Sequence, residues 1–185
     1  MIKDSDSYYG TISRFFHWVV AMLLIINLFI GYLLFDGNIE DIQKDSCYIW
    51  HKNIGITIFF LTILRIGWRV VNKMPILEAS NANWQRVIAK INICLMYIIT
   101  LLLTISGIVM VSFKIGDVYY FDFLLVKSNI NKYEDINNSI STIHIVCAAI
   151  ILLSVTLHSC AAIYHHFILK DRTLKKILFP HKNDD

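Results

Sequence analysis

Carboxylates are missing from the four longest apolar stretches of this sequence, roughly residues 15–35, 50–71, 87–113 and 140–169. That absence excludes chemistry built on intramembrane acids, because proton relays, carboxylate-assisted zinc sites and di-iron bundles all need Asp or Glu inside the helices. No His-Glu-x-x-His motif occurs either, which removes the usual zinc hydrolase. Proline is nearly absent, with Pro75 and Pro180 both outside the stretches; uninterrupted helices argue against the broken spans with which transporters bind ions at mid-membrane. The four cysteines, Cys47, Cys94, Cys147 and Cys160, show no CxxC spacing and no disulfide-scaffold density. They are expected to pack as small apolar residues. Linkers rich in Pro, Gly and Ser, internal repeats and low-complexity segments are also missing, which predicts one domain over residues 1–185.

What is present in excess is apolar surface. Hydrophobic residues make up 56% of the 185, against 17% charged, a balance that suits neither a soluble domain nor a disordered chain. Each of the four stretches exceeds the ~20 residues a helix needs to cross the hydrocarbon layer. The first is too long for the core of a signal peptide and is followed by no small-residue cleavage pattern, so it is expected to stay as an anchor. Twelve of the seventeen Lys and Arg residues lie in the N-terminal tail, the second connection and the C-terminal segment: Lys3, Arg14, Arg65, Arg69, Lys73, Arg86, Lys90, Lys170, Arg172, Lys175, Lys176 and Lys182. Positive charge marks the cytoplasmic side. The expected fold is therefore an all-α integral membrane four-helix bundle with both termini cytoplasmic and the connections around 36–49 and 114–139 facing outward. In the second of these, Tyr119, Tyr120, Phe121 and Phe123 suit an interfacial helix or flap, or a plain hydrophobic loop. Membrane lipid is thus one partner, and nucleic acid is not expected.

Apart from His165 and His166 at the inner end of the fourth, four of the seven histidines fall in or at the edge of the stretches, where an ionisable group is costly enough to suggest function. His51 opens the second span and His144 the fourth, so both lie at the outer level. His158 comes fourteen residues after His144, about 21 Å deeper at ~1.5 Å per residue, and on the same helix face because fourteen residues make about 3.9 turns. His17 enters the first span from the cytoplasmic side and lies at that inner level. Neutral imidazoles facing each other across a bundle suit a large flat ligand, and haem takes two axial imidazoles.

The second span repeats the arithmetic with Arg65, fourteen residues after His51, and Arg69 one turn later. Guanidinium groups there can hold haem propionates bidentately or snorkel to cytoplasmic headgroups. Gly55, Ala148 and Ala162 each follow a histidine by one turn, and Gly31 and Gly107 lie in the first and third spans; they leave room for a porphyrin or serve as ordinary small residues at helix contacts. His165 and His166 at the inner end of the fourth span suit a quinone site, proton transfer or a solvated pair. His181 in the charged tail is expected to be solvated.

These residues resemble the prokaryotic cytochrome b561 family, small di-haem cytochromes of the bacterial inner membrane. The resemblance covers nearly the whole chain and rests on SRFFHW at 13–18, HKNIG at 51–55 with Arg65 and Arg69 following, SGIVM at 106–110, and HSCAAIYHHFILKDRTL at 158–174. It implies two noncovalent haem b groups with His17, His51, His144 and His158 as iron ligands, Arg65 and Gly55 as further haem-binding residues, and chemistry with ubiquinone or ubiquinol. For one branch it also implies oxidation of superoxide to dioxygen with ubiquinone as electron acceptor. The alternative implied is a non-catalytic electron-transfer subunit serving a dehydrogenase or a periplasmic redox protein. Two departures stand out. Many relatives carry a histidine near the start of the third helix, and residues 82–90 here have none. The outer connections hold five basic residues, Lys44, Lys52, Lys114, Lys127 and Lys132, against eight acidic ones, a net of −3 that repels an anion; Lys52, Lys127 or Lys132 can still form a local positive funnel.

Overall fold

In the computed structural model, residues 2–5, 8–37, 40–72, 75, 83–128 and 134–179 are described; Lys73, Ala82, Lys132, Pro180, His181 and Lys182 lie outside them. Four long helices run Thr11–Asp36 (α1), Asp41–Val71 (α2), Asn83–Lys114 (α3) and Glu134–Phe167 (α4), and all four are long and apolar enough to cross a membrane. Each is longer than its apolar stretch at one end or both, because backbone hydrogen bonding continues into the headgroup region where polar side chains take over. Thus α2 begins on the polar segment Asp41–Cys47, with Asp41 in the first turn, where a negative charge complements the helix dipole. The fourth stretch was expected to reach residue 169, whereas α4 stops at Phe167. α1 ends on Gly37, whose φ of 73° lets its N–H bond back to the Leu33 carbonyl.

α1 packs on α2, α2 on α3 and α3 on α4, whereas among the described residues α4 does not pack closely against α1 or α2. The bundle is therefore held at mid-depth by side chains. Leu24, Ile58, Ile99, Leu103, Cys147 and Ile151, drawn from all four helices, form one buried cluster. Leu24 is seven residues after His17, Ile58 seven after His51, and Ile151 seven after His144 and seven before His158. Seven residues are about two turns, or ~10 Å, so this layer sits midway between the two levels of histidine and on the same helix faces. Outward-facing residues such as Met22 and Phe29, each more than 60% exposed, form the lipid-facing surface. Several hydroxyls inside the spans are satisfied locally, as with Thr57 on the Asn53 carbonyl and Thr104 on Thr100, since lipid offers no partner; among the described residues the Thr62 hydroxyl is buried without one.

Among its described residues, the connection between α3 and α4 forms neither a helix nor a plain loop. Its β-branched and aromatic residues pair as an antiparallel hairpin of β1 (Val118–Tyr120) and β2 (Phe123–Val126). The hairpin is a flap fastened to the bundle. Val118 is fully buried against Ile56 and Val111, the Tyr120 and Thr57 hydroxyls are 3.0 Å apart, and Ser128 bonds Asp117 and the Ser112 carbonyl. At its turn Phe121 adopts φ 49°, a conformation an aromatic residue rarely takes, and its N–H is held by the Asn53 side-chain oxygen at 3.0 Å. After α4 a short helix, α5 (Thr173–Leu178), folds back beside α1, with the Trp18 indole donating to the Ile177 carbonyl at 3.4 Å.

Asn53 is 2% exposed and holds the strained turn two residues from His51. Asn53→Ala is expected to lower stability by about 1–2 kcal/mol and to speed limited proteolysis within the hairpin; unchanged cleavage of the 119–126 segment would show that this bond does not fasten the flap.

Candidate functional site

The helices bring the four intramembrane histidines together in two facing pairs. His51 of α2 and His144 of α4 have ring centres 6.2 Å apart with planes at 76°. His17 of α1 and His158 of α4 have ring centres 6.3 Å apart with planes at 51°. α4 supplies one member of each pair, fourteen residues apart on one face. Both pairs span the seams where α4 stands away from α1 and α2.

The outer pair is oriented through its Nδ1 atoms. His51 Nδ1 lies 3.1 Å from the Asn27 carbonyl, which can only accept, so His51 carries its proton there. His144 Nδ1 lies 3.0 Å from the Ser106 hydroxyl, whose own hydrogen is given to the Leu103 carbonyl at 2.9 Å, so His144 is again the donor. Both rings thus leave Nε2 with a free lone pair, the tautomer that a metal ligand needs. Their backs rest on glycine: a Cβ at Gly31 would stand 2.9 Å from His51 Cε1, and one at Gly107 3.1 Å from His144 Cε1, so each needs an uncrowded backbone. Gly55 instead faces α1, where a Cβ would meet the Asn27 side-chain amide at 3.4 Å.

The inner pair is surrounded differently. Arg65 Nη2 donates to His17 Nδ1 at 2.9 Å; a guanidinium cannot accept, so the neutral His17 ring holds its proton on Nε2. Arg65 and Arg69 both stack on Tyr97, with their guanidinium carbons 5.3 and 5.6 Å from its ring centre, and Arg69 also donates to the Tyr97 hydroxyl at 3.4 Å. Among the described residues neither arginine pairs with a carboxylate. Tyr9, just ahead of α1, belongs to the same cluster: burial raises its phenol above the ordinary range even though Arg69 pulls the other way. Two partly buried cations lacking an anion among the described residues suit this end of the bundle to a carboxylate.

Comparison with protein families matches residues 8–180 to the prokaryotic cytochrome b561 family. This chain belongs to that family. Similar curated proteins are cytochrome b561 homolog 2 of Escherichia coli K12, 27% identical over 98% of this chain and 96% of its own length; cytochrome b562 of Cereibacter sphaeroides, 24% identical over 89% and 90%; and cytochrome b561 homolog 1 of Escherichia coli K12, 27% identical over 69% and 72%. Membership makes this cytochrome a bacterial membrane protein that transfers electrons across the membrane through b-type haem.

The histidine pairs fit such a group on their own geometry. Two imidazoles sharing an axial iron, each at the ~2 Å typical of imidazole bonds to first-row metals, have ring centres about 6 Å apart, close to the separations in both pairs. Among the described residues no three His, Cys, Asp or Glu side chains gather into a site for a bare ion; a pair of imidazoles needs the remaining positions filled by a macrocycle. In the inner pair, ligation by His17 through Nε2 requires Arg65 to exchange Nδ1 for another acceptor. Ser106 and the Asn27 carbonyl carry no sequence signature as ligand-orienting groups, although Ser106 lies within SGIVM.

At the inner end of α4 the adjacent histidines part company. His165 Nδ1 pairs with Asp171 Oδ2 at 2.5 Å, while His166 Nδ1 is buried without a hydrogen-bond partner. Burial tends to raise the Asp171 pKa, but the Thr173 N–H on Oδ1 at 2.8 Å and the His165 ring together hold it below the ordinary carboxylate range. A depressed carboxyl pKa adds stability above the unfolded value of about 4 that is lost as pH falls through the folded value. Asp171→Asn is therefore expected to lower the melting temperature at pH 6, and the gap from wild type should close as the pH is taken below the ordinary carboxylate range. A gap that stays constant with pH would assign the loss to shape rather than charge.

Proposed function

We propose that this cytochrome carries electrons between the outer face and the quinone pool of a bacterial inner membrane through two b-type haems, one held by His51 and His144 and the other by His17 and His158. The supporting observation is the repetition of one facing-imidazole spacing at both levels of a shared helix. Residues 1–185 then act as one membrane domain, and the distribution of Lys and Arg supports cytoplasmic termini. The proposed reaction is superoxide oxidation: two superoxide anions give up one electron each and leave as two dioxygen molecules, while ubiquinone takes both electrons and two protons to become ubiquinol.

Bound haem supplies the one-electron iron couple. The rest falls to the protein. His51 and His144, with Nδ1 committed to the Asn27 carbonyl and Ser106, present Nε2 at fixed orientation. His17, His51, His144 and His158 would hold the haems, and the chain would position substrates rather than ligate them. Arg65 and Arg69 would hold propionate carboxylates at the inner end, and such an acceptor would free His17 Nδ1 from Arg65. The apolar layer of Leu24, Ile58 and Ile151 keeps water from the space between the levels. The hairpin on Asn53 and Thr57 shields the outer level, and Lys52 beside His51 gives the outer face a local cation.

A second reading has a specific observation behind it. The outer connections carry a net charge of −3, which repels superoxide and suits a basic redox protein or a partner dehydrogenase as the donor. Stopped-flow mixing of the oxidised protein with superoxide separates the two. Reduction of the visible bands faster than spontaneous dismutation permits, followed by reoxidation with ubiquinone, is expected. No reduction above that limit would remove superoxide as donor and leave the electron-transfer subunit.

A further inference from the structure

Away from the histidine pairs, one surface cavity combines a cation that has no carboxylate partner among the described residues with walls that open toward lipid. It has a volume of about 270 Å³ and lies between the first two turns of α1 and the end of α5, lined by Thr11, Arg14, Phe15, Trp18 and Ile177 among others. Arg14 Nε is buried without a hydrogen-bond partner. Its Nη2 reaches the Thr11 hydroxyl only at 3.4 Å, and among the described residues no carboxylate pairs with it. A guanidinium left this way at the end of a span calls for an oxyanion, which it can take through two parallel N–H groups.

The surroundings say which oxyanion. Phe15 and Trp18, 58% and 43% exposed, line the groove and continue along α1 into Met22 and Ile25, 61% and 57% exposed. These positions follow helical spacing, so the groove runs into a single outward apolar stripe. Trp18 carries its indole N–H inward to the Ile177 carbonyl, leaving its ring on the groove wall at the depth where tryptophan favours the membrane interface. The chain arriving from α4 adds Lys170, Arg172, Lys175 and Lys176 to the same end of the molecule. A free phosphate would have no use for the apolar stripe, whereas a phospholipid fills both parts.

We propose that the groove between α1 and α5 is a binding site for an anionic phospholipid, with the phosphodiester on the Arg14 guanidinium and an acyl chain along Phe15, Trp18 and Met22. The site is separate from the histidine pairs and does not rest on the redox reading.

Native mass spectrometry of the haem-loaded full chain, released from detergent in the presence of phosphatidylglycerol or phosphatidylcholine, tests it. Wild type is expected to retain phosphatidylglycerol over phosphatidylcholine, and Arg14→Gln to reduce that retention about fivefold, the factor for one basic contact at an anionic surface. Arg86→Gln, which removes an exposed cation bonded to Asn83, is expected to retain it as wild type does. Arg14→Lys keeps the charge without the fork and is expected to fall between wild type and glutamine, which preserves the test if the glutamine variant does not fold. Equal retention of the two lipids by wild type, the same retention in all Arg14 variants, an equal loss in Arg86→Gln, or displacement by soluble glycerol phosphate at lipid concentrations would each overturn the proposal.

Discussion

Hydrocarbon offers a histidine ring no hydrogen-bond partner and no counter-ion, so an imidazole inside a membrane bundle has to be satisfied by the protein or by something the protein holds. Here that constraint bears on four rings at once. Two of them commit Nδ1 to neighbouring helices, a third accepts a hydrogen bond from Arg65, and all four face a partner ring across a seam that the backbones leave open. The open seams beside α4 and the glycine contacts at Gly31 and Gly107 suit holding those rings in facing pairs.

The two levels are built from one spacing but are not equivalent. At the His51–His144 level, oriented tautomers and glycine backing give a preset site. At the His17–His158 level, the His17 proton lies on the other nitrogen while Arg65 is engaged with Nδ1, so under the proposed ligation accepting iron there and releasing the guanidinium would be coupled. An anionic acceptor for Arg65 and Arg69 favours that exchange, and propionate carboxylates have the charge and shape for it. Between the levels, the apolar layer seven residues from each histidine fixes their separation by ordinary side-chain packing, which in a membrane is what holds helices together.

Much of this was legible in the residues because it depends on local periodicity. Long stretches without Asp or Glu placed the four helices, and the fourteen-residue interval between His144 and His158 placed two levels on one face. The mid-depth layer was equally legible, since Leu24, Ile58 and Ile151 sit at half that interval, but leucine and isoleucine in an apolar helix do not stand out. What escaped depends on contacts between distant segments. The hairpin needs Asn53 to hold a left-handed Phe121, and a run of aromatics alone does not distinguish strand from interfacial helix. His51 is oriented by a backbone carbonyl, which no side chain announces. That Gly55 lies beside the Asn27 side-chain amide of α1 is likewise a contact between distant segments. His165 and His166 look alike in sequence, and only the turn that brings Asp171 back separates them.

The central claim is that facing imidazoles on α1, α2 and α4 hold one iron porphyrin at each of two depths. Pyridine haemochrome quantitation on the purified chain, beside its His51→Ala and His158→Ala variants, tests it most directly. The account predicts two haem b per wild-type chain and one in each variant, with the surviving haem differing between the two. One haem or none in the wild type, or a full complement in either variant, would contradict it.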